Sequence, residues 1–235
     1  MGVMTSNETE AYPGIEDALS ADRFGTYLGW AGGDRAKAVT LYTLNALLSE
    51  CLHLPLHMLE VALRNRIHQV MSKAHGETWF DMPEHQLNPT QRDMLAKARQ
   101  DLADQKKDDT PSRVVAAVTF GFWTAILGKE YENLWQKTLN AIARREDGKG
   151  LRRKDFTRSL GAIRMLRNRL AHHETVLYWN LPKHYASILQ LTAWLSPVAA
   201  DWSKDHCRFE RIYPEGGIVL TGEAPDNTNA SLLRE

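Results

Sequence analysis

From Ser20 onward, apolar residues recur three and four apart, the spacing of one face of a 3.6-residue helix. Ser20 and Asp34 read as N-caps, and Gly32-Gly33 separates two helices ending near Trp30 and Glu50. Pro55 reads as the first turn of a new helix, where a missing N–H costs nothing; that helix runs to about residue 75 and stops at Gly76. Asn88-Pro89 repeats the cap-then-proline signal and opens a helix to about Gln105, before the charged break KKDDTPS. Residues 112–143 suggest two short helices joined near Gly128, with Trp123 and Trp135 as core anchors. Asp147-Gly148 and Gly150 mark a loop, a long helix follows over about 154–177, and Pro182 starts a last one to about Trp202. The pattern predicts an all-α fold, a helical bundle over 17–203. A flexible N-terminus (1–16) precedes it. A C-terminal extension (204–235) follows, in which CRFERIYPEGGIVL makes a short hairpin at Gly216-Gly217 or stays irregular, and the final dozen residues are disordered.

Composition changes this picture little. Hydrophobic residues at 43% and charged residues at 25% suit one helical domain with a core that needs neither disulfide nor metal. Cys51 and Cys207 are far apart in sequence and form no CxxC, which excludes a zinc ribbon and argues against a secreted disulfide framework. The N-terminus carries no apolar leader, and no run approaches the length of a membrane span, so the expectation is a cytoplasmic protein with no membrane partner. With 29 basic and 29 acidic residues the net charge is zero, so no bulk field announces nucleic acid. Locally, Arg144, Arg145, Lys149, Arg152, Arg153, Lys154, Arg158, Arg164, Arg167 and Arg169 outnumber Glu146, Asp147 and Asp155, a field able to attract a phosphodiester backbone. Neither a P-loop nor a GxGxxG turn is present, and no helix-turn-helix pattern is apparent.

The chemistry concentrates in RNRLAHHE (167–174). At roughly 100° per residue, Phe156, Leu160, Ile163, Leu166, Leu170 and Leu177 share one arc, and Arg167 falls inside it. A guanidinium on the core side of a helix needs acceptors or a phosphate. Asn168 and His172 lie further round the helix, His173 on the other flank, and Arg164 and Arg169 extend the charge. On one straight helix Arg167 and His172 diverge by roughly 140°, so convergence asks for a helix distortion or a second subunit. A second stripe joins His57, Glu60, Arg64 and His68, beside Asn65. Glu60 stands four residues before Arg64, the favourable order for an ion pair; the alternative to a structural bridge is that Glu60 orients Arg167 or Arg64. His57, Glu60 and His68 include no two histidines four apart, so no metal site is read there.

RNRLAHHE resembles the R-x4-6-H motif of the HEPN superfamily, in the R-N-x-x-A-H-H form of Abi-like (abortive infection) proteins. The segments 41–68 and 120–135 are similar to that family's N-terminal and middle blocks. The resemblance implies a metal-independent endoribonuclease without cofactor, a dimer, in which Arg167, Asn168 and His172 are catalytic. His173, Glu60, Arg64, Asn65, His68, Arg164 and Arg169 would support the site or hold RNA. It further implies a toxin-like role in phage defence, with RNA as substrate and an RNA or protein antitoxin as a candidate partner. The other reading is a HEPN module that binds RNA or a protein partner without cutting.

Overall fold

The structure, a computed structural model, describes residues 12–82 and 87–221. All regular elements among them are helical: α1 (Ile15–Leu19), α2 (Ala21–Trp30), α3 (Arg35–His75), α4 (Pro89–Asp104), α5 (Pro111–Ala117), α6 (Phe120–Ala125), α7 (Glu132–Lys137), α8 (Arg153–Ala171), α9 (Leu181–Leu195), α10 (Pro197–His206) and α11 (Phe209–Ile212). The expected flexible ends lie mostly outside the described residues.

The axis of the fold is α3, 41 residues and roughly 60 Å at 1.5 Å per residue. The expected break before Pro55 does not occur: Pro55 is inside the helix. An interior proline deprives the carbonyl four residues earlier of its N–H donor. That carbonyl is Cys51 O, and Cys207 Sγ lies 3.2 Å from it as a replacement donor. Two cysteines distant in sequence are therefore neighbours in space, and both are free. α3 is long and apolar enough, by length and composition, to cross a membrane, contrary to the expectation that no segment approaches that size. Here it carries Leu48, Leu52, Leu59, Leu63, Ile67 and Met71 fully buried, the placement of a core helix.

α2, α9, α10 and α8 pack around α3, and α8 also lies against α6 and α9. Trp123 and Trp135 are buried as expected, with Trp79, Phe122 and Phe156 beside them. The start of α8 is fixed by Arg153, which pairs with Glu132 and donates to Leu127 O at 3.1 Å. Capping follows the sequence where it is local. Asp34 accepts from the N–H groups of Ala36 and Lys37, and Asn88 accepts from Gln91, with Pro89 at the first helical position.

Two helices are shorter than expected. The last one stops at Leu195, because Ser196, extended before Pro197, caps a separate helix, α10. α8 stops at Ala171, six residues early, for reasons given below. Of the alternatives for the C-terminal segment, the structure shows no hairpin strands among the described residues. α11 buries Phe209 against Tyr185, a turn closes at Gly217, and Thr221 N donates to Trp30 O at 3.0 Å. α10 runs to His206, so the proposed boundary at 203/204 falls within a helix.

Candidate functional site

The end of α8 makes the site. His173 N donates to Leu170 O at 3.1 Å and Glu174 N to Arg169 O at 2.9 Å, the paired bonds of a Schellman C-cap. The residue that reverses the chain in this motif adopts left-handed backbone and is ordinarily glycine; here it is His173, at φ 55°. A Cβ in that conformation costs about 1 kcal/mol or more. His172 is the last half-turn residue, its N–H bonded to Asn168 O at 3.0 Å, and its side chain is exposed. The helix thus ends between the two histidines: His173, past the reversal, shares a cleft with Arg167, whereas His172 is not brought to it.

Behind the cap, the chain is held by a residue the sequence reading passed over. Asn45, buried on α3, accepts the backbone N–H of Val176 at 2.9 Å. A lone amide in the apolar run LYTLNALL was the available signal. Arg169 fastens the same loop: it pairs with Glu174 at 2.8 Å and its guanidinium lies over Tyr178 and Trp179, at 5.7 and 5.6 Å from the ring centres. Its contacts are those of a structural clamp.

Between α2, α3 and α8 opens a cleft of about 1000 Å³. Arg167, Leu170, Ala171 and His173 line it from the α8 side; His53, His57, Glu60 and Arg64 line it from α3. Arg167 is not on the core side of its helix, as the wheel suggested. It stands near the edge of the apolar arc, and its side chain is 40% exposed. Glu60 faces it at 3.6 Å, so Glu60 is paired with Arg167 rather than with Arg64. Such a half-exposed, long contact orients more than it stabilises. Arg64 donates weakly to Ala116 O at 3.4 Å, and its Nε is buried with no hydrogen-bond partner among the described residues. The rest of the guanidinium belongs to a side chain that lines the cleft, where its other N–H groups can meet an anion.

The other sequence-derived candidates fall elsewhere. His172 and Asn168 are exposed beside the cleft but do not line it, and Arg164 and Asn65 are exposed. His68 turns away. Its Nδ1 accepts from Trp79 Nε1 at 3.2 Å, Ser72 Oγ lies 3.3 Å off, and burial depresses its basicity below that of a free imidazole. His53 was missed. It sits four residues before His57, the two rings stacked 6.5 Å apart, so the α3 stripe does contain a His-x3-His pair. Among the described residues no three His, Cys, Asp or Glu side chains gather as a metal-binding group. Six of the ten cations in the basic run 144–169 have carboxylate partners: Arg145 and Lys149 share Asp147, Arg153 has Glu132, Arg158 has Asp155, Arg167 has Glu60 and Arg169 has Glu174.

No curated protein and no solved structure matches the chain. A family model does, that of the Abi-like proteins, over residues 22–180, a span that takes in α3 and the whole RNRLAHHE segment. The chain belongs to the Abi-like protein family.

Proposed function

We propose that this protein is a metal-independent endoribonuclease of the HEPN type, acting as a toxin-like effector in abortive infection. Family membership supports the setting. The observation that carries the chemistry is that one short motif places Arg167 and His173 on the same open cleft, with Arg64 opposite. RNA cleavage without a metal needs a proton carrier active near neutral pH and positive charge on the phosphorus oxygens, and histidine and arginine are the residues suited to each.

In this reading the scissile phosphate enters between Arg167 and Arg64. An imidazole takes the 2′-hydroxyl proton as that oxygen attacks phosphorus; the bond to the 5′-oxygen breaks, and a protonated imidazole supplies the leaving group's proton. The products are a 2′,3′-cyclic phosphate and a 5′-hydroxyl. Of the motif's two histidines, His173 lines the cleft, and His172, exposed next to it, is the candidate for the second transfer. Asn168 serves phosphate from the rim. Glu60 orients Arg167 and yields it to the substrate. Homodimerisation and restraint by an RNA or protein antitoxin belong to the same reading.

The test is purified protein with end-labelled single-stranded RNA in excess EDTA. Cleavage to cyclic-phosphate ends is expected, reduced about 10²-fold or more in His173→Ala, the usual worth of a proton-transfer group. Activity abolished by chelator would overturn the metal-independent mechanism. RNA bound tightly but left intact would identify a binding module instead.

A further inference from the structure

Round the other side of α3 lies a second depression, of about 540 Å³, between the C-terminal third of that helix and the segment 137–144. Four cations line it: Arg66, Lys73, Lys137 and Arg144. No Asp or Glu is among its lining residues. In a chain of zero net charge, four cations round one hollow with no carboxylate in its lining make a local positive field. Arg66 has internal work, donating to Ile142 O at 3.1 Å and Ala141 O at 3.2 Å, which fixes the floor of the groove. Lys73, Lys137 and Arg144 are exposed and have no ion pair among the described residues. Like charges gathered round one hollow repel one another, and an anion bridging them removes that cost.

We infer that this groove is an exosite for the sugar-phosphate backbone of single-stranded RNA, holding the strand whose scissile phosphate lies in the Arg167 cleft. The inference rests on the ribonuclease reading for its choice of nucleic acid. The lining favours a backbone over a protein partner: its apolar members are only Val70, Ala74 and Ala141, too little for the packed core of a protein interface. Phosphates, in contrast, need cations and little else. The relation to the cleft is set by α3. Arg66 and Lys73 lie six and thirteen residues beyond Glu60, roughly 9 and 20 Å along the axis and rotated by roughly 120–140°. The short arc between them is the buried one that carries Leu59 and Leu63, so a strand joining the sites crosses the exposed side of α3 at Asn65 and Gln69; short RNA fills the cleft alone and longer RNA gains the groove.

The experiment compares the wild type with the triple variant Lys73→Ala, Lys137→Ala, Arg144→Ala. All three side chains are exposed, so melting temperatures should agree, and a charge-retaining Lys73→Arg, Lys137→Arg variant serves as a second reading. The probes are a fluorescent dodecamer and a trinucleotide, both fully 2′-O-methylated so that no 2′-hydroxyl can attack. The triple variant should bind the dodecamer at least tenfold more weakly, with a salt slope reduced by about 2, as loss of three phosphate contacts on a single strand requires. Trinucleotide affinity should be unchanged and the arginine variant should match the wild type. Equal dodecamer affinity and slope in the wild type and the triple variant would overturn the exosite. So would binding of the wild type to phosphatidylserine vesicles with none to the dodecamer. The two readings fail separately. A wild type that binds the dodecamer through the groove but never cuts unmodified RNA keeps the exosite and loses the nuclease. A wild type that cuts, with no triple-variant defect, does the reverse.

Discussion

Among the described residues, three helices end in the same hydrogen-bonded turn, and each fills the reversing position differently. At the end of α2 the residue is Gly32, at φ 66°, with Gly33 N bonded to Leu28 O at 2.9 Å. At the end of α4 it is Lys106, at φ 56°, with Lys107 N bonded to Leu102 O at 2.9 Å. At the end of α8 it is His173, at φ 55°. Only the first uses the residue that the backbone prefers. The α4 end faces solvent and lines neither groove, so strain of this kind is not by itself a mark of function. What distinguishes α8 is the company: the strained side chain shares a cleft with Arg167 and Arg64.

The comparison can be broken in several ways. The largest effect should come from His173→Gly, which relieves the backbone while removing the imidazole. RNA cleavage should fall about 10²-fold or more while stability rises by about 1 kcal/mol. Lys106→Gly should give the same gain in stability by denaturant titration and leave cleavage at the wild-type rate. A cleavage loss in Lys106→Gly, or none in His173→Gly, would dissolve the distinction between the two ends.

Next in size is the anchor behind the cap. Asn45→Ala strands the buried Val176 N–H and should cost about 1–3 kcal/mol, read as a lowered denaturant midpoint. Cleavage measured where the variant is still folded should fall too, because the turn that aims His173 is loosened. An unchanged midpoint would show that Val176 finds another acceptor. The proline in α3 offers a smaller test. Cys207→Ala removes the donor to Cys51 O and should cost about 1 kcal/mol, whereas Cys207→Ser should recover part of it.

The smallest effect concerns pH. Burial lowers the basicity of both His68 and His184 relative to the ordinary value of 6.5. The folded state therefore holds each ring neutral where the unfolded chain would begin to protonate it. Their contribution is complete above 6.5 and declines as the pH falls from 6.5 toward their lower folded values. Denaturant midpoints should decrease over that interval, and less so in His184→Phe. A midpoint constant across it would contradict the assignment.

How much of this was legible in the sequence follows from the range of the interactions. Asp34, Asn88 and Pro89 announce helix starts because a cap is settled within three residues. The continuity of α3 through Pro55 is not legible, since the group that satisfies the orphaned carbonyl is 156 residues away. Nor is the end of α8, where the residue in left-handed backbone carries none of the glycine signal that marked Gly32 and Gly76. The wheel put Arg167 inside the apolar arc, but near its margin, and a long side chain there reaches out to Glu60 and the cleft rather than inward. The motif itself was readable as a cluster; that its second histidine, rather than its first, lines the cleft depends on one backbone angle.

The most direct measurement is the single-turnover rate of RNA cleavage, in excess chelator, for the wild type, Arg167→Ala, His173→Ala and the double variant. Groups that act together on one transition state give losses that do not add. Each single substitution should cost about 10²–10³-fold, and the double variant should be little worse than the poorer single. Two losses that multiply independently, or a wild-type rate in either single variant, would contradict the claim that Arg167 and His173 handle the same phosphodiester.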